Sequence, residues 1–142
     1  MGEPATAIQP AAVVVRELGD AACRALLGSR DVGRLGFVAD GYPLVLPVSY
    51  AFADGRIWIS TGGGSRLDHA PLSPVCFEVD DLDAASRTGW SVLARGVAHW
   101  ASADDGVPPA TAPPWVPGPL PARLVVKVRR LSGRRFERTA PS

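Results

Sequence analysis

Ile57 and Ile59 alternate with Trp58 and Ser60, and that two-residue period is the signature of a β-strand with one buried face. The same reading predicts strands over residues 33–39, 42–52, 75–80, 88–100 and 124–131, with Val13 to Val15 a short strand or an extended approach. Asp40-Gly41 and Asp54-Gly55 are two-residue hairpin signals, so three of these strands form a continuous antiparallel unit. Gly96, in the middle of its strand, suggests a bulge or bend of the kind barrels need at a corner. Pro47 has no N–H and marks an edge, a bulge or a place where a ligand replaces a ladder partner. Asp80, Asp81 and Asp83 read as an acidic loop, and Ser132-Gly133 as a turn ending the last strand. Helical signals are short. Residues 20–27 are alanine-rich, with Gly28 suited to the C′ position and Ala22, Ala25 and Leu26 on the inner face. A second helix starts at Arg66, capped by Ser65 with Asp68 three residues on, and is stopped by Pro71 and Pro74.

About six antiparallel strands with short flanking helices close most easily as a small, mainly β barrel. In places the strands are apolar on both faces, as at Val45, Leu46 and Val48. One face fills the barrel and the other needs cover, which argues for a dimer. The 142 residues suit a single domain, residues 1–142, with a leader at 1–10, a proline-rich loop at 101–122 and a tail at 137–142. That loop holds seven of the fourteen prolines, so it is neither a regular helix nor an inner strand. Trp115 within it makes the loop either a lid over a pocket or a linker pinned to the surface.

With 46% hydrophobic residues, 20% charged residues and a net charge of +1, the chain shows no global pull towards nucleic acid or a membrane. No apolar run is long enough to span a bilayer, and no signal-peptide pattern precedes the first strand. Cys23 and Cys76 lack metal-ligand spacing and are expected to be reduced, buried thiols in the cytoplasm.

The strongest candidate chemistry lies in residues 61–66, Thr-Gly-Gly-Gly-Ser-Arg. Three glycines open the backbone to a ligand, Thr61 and Ser65 offer hydroxyls, and Arg66 offers a fork of donors, a combination that suits a phosphate as well as a plain turn into a helix. His69 reads as an exposed helix residue and His99 as a partly buried, satisfied one; neither belongs to a catalytic or metal pattern. The three aspartates lack calcium-loop spacing. Residues 123–138 carry seven of the fifteen cations and only Glu137 as an acid. They suit a polyanion or a charge-guarded edge strand equally well.

Six stretches, taken in order, resemble one family: residues 32–37 (Val-Gly-Arg-Leu-Gly-Phe), 47–50 (Pro-Val-Ser-Tyr), 61–66, 75–80 (Val-Cys-Phe-Glu-Val-Asp), 89–92 (Gly-Trp-Ser-Val) and 95–96 (Arg-Gly). The chain is similar to the pyridoxamine 5′-phosphate oxidase-like superfamily of FMN-binding split β-barrels, in particular its short actinobacterial-type members. The resemblance implies a split barrel of Greek-key type and a homodimer holding two cofactors at its interface. It implies that the flavin phosphate sits against Thr61, Ser65 and Arg66, with Ser60 among the cofactor-binding residues. It places the ring along Leu46, Pro47, Val48 and Ser49, with Trp90 and Ser91 reaching over from the partner subunit. Some such relatives use a deazaflavin coenzyme in place of FMN. Leu67 stands where the oxidases carry a second cation, Leu131 replaces their C-terminal tryptophan, and their arginine–histidine pair has no clear match, so oxidation of pyridoxamine phosphate itself is not expected. Three readings follow. The first is a flavin- or deazaflavin-dependent oxidoreductase passing hydride to a small molecule, in which the cofactor supplies the chemistry and no acid–base residue is needed. The second is a flavin-binding protein without turnover. The third is a cofactor-free dimeric barrel whose arginine-rich strand binds a partner.

Overall fold

The computed structural model describes residues 12–63, 66–115, 118 and 121–139. The expected leader and Ser65 lie outside the described residues. Seven strands form one antiparallel sheet: β1 (Val13–Leu18), β2 (Val32–Ala39), β3 (Tyr42–Ala53), β4 (Arg56–Thr61), β5 (Pro74–Asp83), β6 (Thr88–Trp100) and β7 (Ala122–Arg138). Their order is β1-β7-β4-β3-β2-β5-β6, and β6 pairs back onto β7. This closes β2 to β7 into a six-stranded barrel, with β1 as a seventh strand along the far half of β7. Strands β2, β3 and β4 follow one another through hairpins and β5 returns beside β2, which is the Greek-key order. The hairpin residues Asp40 (φ 52°) and Gly41 (φ 81°) have the left-handed backbone that Asp-Gly turns adopt. The pairing of β6 with β7 shifts register between Arg95 and Gly96, where a bulge is expected.

Alternation sorts the side chains. Leu35, Phe37, Ile57, Ile59, Phe77 and Val79 fill the barrel, with the rings of Tyr50 and Phe77 packed edge to face at 4.7 Å. One helix, α1 (Asp20–Leu27), covers an end, and the buried Tyr50 hydroxyl donates to the Leu27 carbonyl at its C-terminus.

Several local expectations are corrected. The inner face of α1 is Cys23 and Leu27, while Ala22 and Ala25 are exposed. Gly28 is right-handed (φ −77°), so it ends the helix without a left-handed turn. The segment after residue 65 is a four-residue 3-10 turn, Arg66–His69, too short for a helix. Cys76 is exposed and only Cys23 is buried. Asp80, Asp81 and Asp83 belong to β5, paired with Ser91, Trp90 and Thr88. Arginines make the extended acidic run tolerable: Arg34 bonds Glu78 and Asp80, and Arg30 pairs with Asp81. Finally, β7 continues through Ser132 and Gly133 to Arg138, so Glu137 and Arg138 are strand rather than tail. Gly133 is there for closeness: a Cβ would lie 2.7 Å from Cys23 Sγ.

The Arg34–Glu78–Asp80 cluster makes stability depend on pH. Partial burial, the hydrogen bond with Asp80 and its charge push the Glu78 carboxyl up to about 7, against the opposing pull of Arg34. Between the ordinary value of 4.5 and about 7 the folded chain holds a proton that the unfolded chain releases. Stability from this group is therefore complete below 4.5 and is lost as pH rises through about 7. Glu78→Gln should melt above the parent by roughly 3 °C near pH 8, a figure discounted for solvent screening, and the gap should close near pH 4.5. Thermal melts of both proteins across that range test it; equal pH profiles would remove Glu78 as the source.

Candidate functional site

The ladder between β3 and β4 runs only from Tyr50 opposite Ile59 to Ala53 opposite Arg56. Beyond it, residues 46–49 pair with β2 on one side and have no β4 partner on the other. Alternate residues of an antiparallel strand direct their backbone groups to opposite sides, so this half of β3 presents polar backbone to an open seam. Pro47 sits in that half, where a missing N–H is tolerated. The seam leads into a cavity of about 60 Å³ lined by Leu46, Pro47, Val48, Ser60, Thr61, Leu67, Pro114 and Trp115. Thr61 Oγ1 accepts the Gly63 N–H at 3.1 Å, which shapes the start of the glycine loop.

Five of the candidate residues thus meet at one cavity, and Ser49 reaches the loop that roofs it. Others lie elsewhere. Arg66 is exposed and lines a shallow depression with Ala39, Asp40, Tyr42 and Leu44; its neighbour Leu67 is the residue that walls the cavity. Trp90 is 7% exposed, packed within the core of its own chain, with the Arg30 guanidinium 5.6 Å above its ring. Ser91 is half-buried on the opposite face of β6, which borders neither β3 nor β4. Among the described residues no group of histidine, cysteine, aspartate or glutamate is placed to hold a metal ion.

The proline-rich loop proves to be a strap, tied down along its course. Ala101 N–H bonds the Arg123 carbonyl at 2.9 Å. A capping box of Ser102 and Asp105 follows, and Asp105 Oδ1 meets His99 Nε2 at 2.8 Å. The Ser102 N–H and then His99 hold the Asp105 carboxyl below the ordinary carboxylate range. Arg56 donates to the Asp105 carbonyl at 3.4 Å, Ser60 Oγ to Thr111 Oγ1 at 2.6 Å, and Ser49 Oγ to the Pro113 carbonyl at 2.8 Å. Arg56, Trp58 and Ser60 share the outer face of β4, so Trp58, 3% exposed, lies beneath the strap between two of its ties. Beside it are Val125 and His99, one register row across the sheet. His99 is therefore a satisfied, partly buried histidine, as its sequence context suggests, and His69 is exposed. Sequence reasoning missed Thr111, Pro113 and Asp105. The usable signals were the Ser-Ala-Asp-Asp capping pattern at residues 102–105 and the outward position of Ser60.

No helix among the described residues is long and apolar enough to cross a membrane. The family model described as pyridoxamine 5′-phosphate oxidase matches residues 19–135. An uncharacterized protein of Mycobacterium tuberculosis is 38% identical over 96 residues, 63% of this chain and 62% of that relative, so the match spans less than two thirds of the relative's length. Among solved structures, the FAD binding protein from Mycobacterium smegmatis superposes with a TM-score of 0.68 at 27% identity, covering 87% of this chain and 100% of that one. An FAD-binding protein from Mesorhizobium loti shares the fold, with a TM-score of 0.70 at 22% identity over 89% of this chain and 99% of that one. The model match runs from α1 through most of β7, and the chain belongs to the pyridoxamine 5′-phosphate oxidase family.

Proposed function

We propose that this protein binds a flavin nucleotide, FMN in the first instance, in the groove along residues 46–49, and that it works as a homodimer in hydride transfer to a small molecule. The observation that carries this reading is the open seam of β3. It offers backbone groups with no β4 partner beside apolar walls at Leu46 and Val48, with the hydroxyls of Ser49, Ser60 and Thr61 around it. That donor set fits the polar edge of a flat heteroaromatic ring. The glycine loop and Arg66 suit the phosphate end. A bound flavin supplies the redox chemistry. The chain would hold it in register, neutralise its phosphate and shield one face from water. Charge is sparse for this task, because Leu67 takes the place of a second cation. The family likeness and the FAD-binding relative from Mycobacterium smegmatis support the flavin class.

Dimerisation has its own support. Val38 and Val45 are exposed on the outer face of β2 and β3, beside a shallow apolar depression lined by Phe37, Pro43, Leu44 and Val75. A second subunit seated here would cover these apolar side chains.

Fluorescence titration with FMN, FAD and a deazaflavin coenzyme tests the reading. Saturable quenching by one of them at one site per subunit is expected, with a dimer by sedimentation. A protein that binds none of the three contradicts it.

A further inference from the structure

We infer that residues 101–115 act as an internal competitor for the flavin groove: the strap must be displaced before the cofactor enters, and cofactor and strap contend for the hydroxyls of Ser49 and Ser60. This rests on the flavin reading of the groove.

Volume carries the first step. Sites for ligands of cofactor size occupy about 300–1,000 Å³. The cavity under Pro114 and Trp115 measures about 60 Å³, room for a couple of water molecules. With the strap in place, a three-ring heterocycle has nowhere to lie along residues 46–49. Hydrogen bonding carries the second step. Ser49 Oγ and Ser60 Oγ, the outward hydroxyls of the two seam strands, are both donated to the strap, at the Pro113 carbonyl and Thr111 Oγ1. The strap thus takes up donors that a polar ring edge would use. Its composition favours a discrete move: prolines 108, 109, 113 and 114 stiffen the span, whereas the Asp105 ties to His99 and Ser102 anchor its root at the β6 end. Release at Thr111 and Pro113 would let the span between the Asp105 root and the Ala122–Thr61 pairing bow away from the groove with both ends in place. Trp115 roofs the cavity and is 60% exposed; beyond it Gly118 packs on the glycine loop, where a Cβ would stand 2.1 Å from the Gly62 carbonyl oxygen.

If closed and open straps are in equilibrium, apparent affinity is the open-state affinity reduced by the open fraction. Weakening the latch without touching the groove should therefore tighten binding. Thr111→Val removes the acceptor for Ser60 and leaves Ser60 itself intact. On the full-length chain, FMN should bind Thr111→Val about three- to ten-fold more tightly than the parent, the worth of one net hydrogen bond, with a faster association rate. Thr111→Ser, which keeps the hydroxyl, should behave as the parent. A second readout needs no variant: saturating FMN should speed protease cleavage within residues 106–115 of the parent. Two results would overturn the competitor role and leave the flavin reading standing: equal or weaker FMN binding by Thr111→Val, or protection of the segment by FMN, which would make it a cover that closes over the ligand. FMN binding to none of the proteins would overturn the flavin reading itself, and this inference with it.

Discussion

Phe77→Ala should lower the unfolding free energy by about 3–5 kcal/mol and the melting temperature by roughly 10 °C or more. Phe77 is fully buried at the centre of the barrel, on β5, where that strand joins β2. Its ring packs edge to face with Tyr50 from β3, at 4.7 Å and 65°. On the other side it fills the space left by Gly33: a Cβ at that position would stand 2.2 Å from the Phe77 ring tip. Truncation removes the transfer free energy of the ring and leaves a cavity that β-strands, fixed by their ladders on both sides, cannot collapse to fill. The edge-to-face pair adds a further share. Gly33→Ala approaches the same contact from the opposite side and should destabilise by overpacking, by about 1–3 kcal/mol. Urea unfolding of both variants checks these values. A loss below about 1 kcal/mol for Phe77→Ala would show that the barrel interior is not packed around this ring.

Arg66→Ala should weaken FMN binding by about ten-fold or more, as loss of a charge-assisted contact to phosphate implies. Arg66 makes no ion pair among the described residues, and it adjoins Leu67, which walls the cavity. With leucine rather than a second cation beside it, no adjacent charge compensates for its loss. Arg66→Lys should fall between the two, since it keeps the charge but not the planar fork. The parent's affinity should also fall with added salt more steeply than the variant's. Titration at two ionic strengths measures both effects. Affinity unchanged by Arg66→Ala would take this residue out of the site.

Much of the barrel was legible because stretches of its strands, such as Ile57 to Ser60, keep a two-residue period and its hairpins carry Asp-Gly. Those signals are local, and the structure follows them closely at β2, β3, β4 and β6. The misreadings share a different cause. Ser132-Gly133 looks like a turn because glycine punctuates turns. Here the glycine lets β7 pass under Cys23, a contact set by a helix more than a hundred residues away in sequence. Asp80 and Asp81 look like a loop because nothing nearby in sequence shows that Arg34 and Arg30 will neutralise them. For the site, the cluster of Leu46, Pro47, Val48, Ser60 and Thr61 came from the family resemblance and from Pro47, and these residues do line one cavity. The strap's ties were not legible: a proline-rich segment gives no period, and its partners Ser49, Ser60, His99 and Arg56 come from three different strands.

The central claim is that flavin binds at the β3 seam, and amide chemical shifts of the labelled protein during an FMN titration locate it residue by residue. Perturbations centred on residues 46–49 and 60–63, with changes at Thr111 and Trp115 as the strap gives way, are the expected result. Saturable perturbations confined to the arginine-rich stretch of β7, with the seam silent, would contradict it.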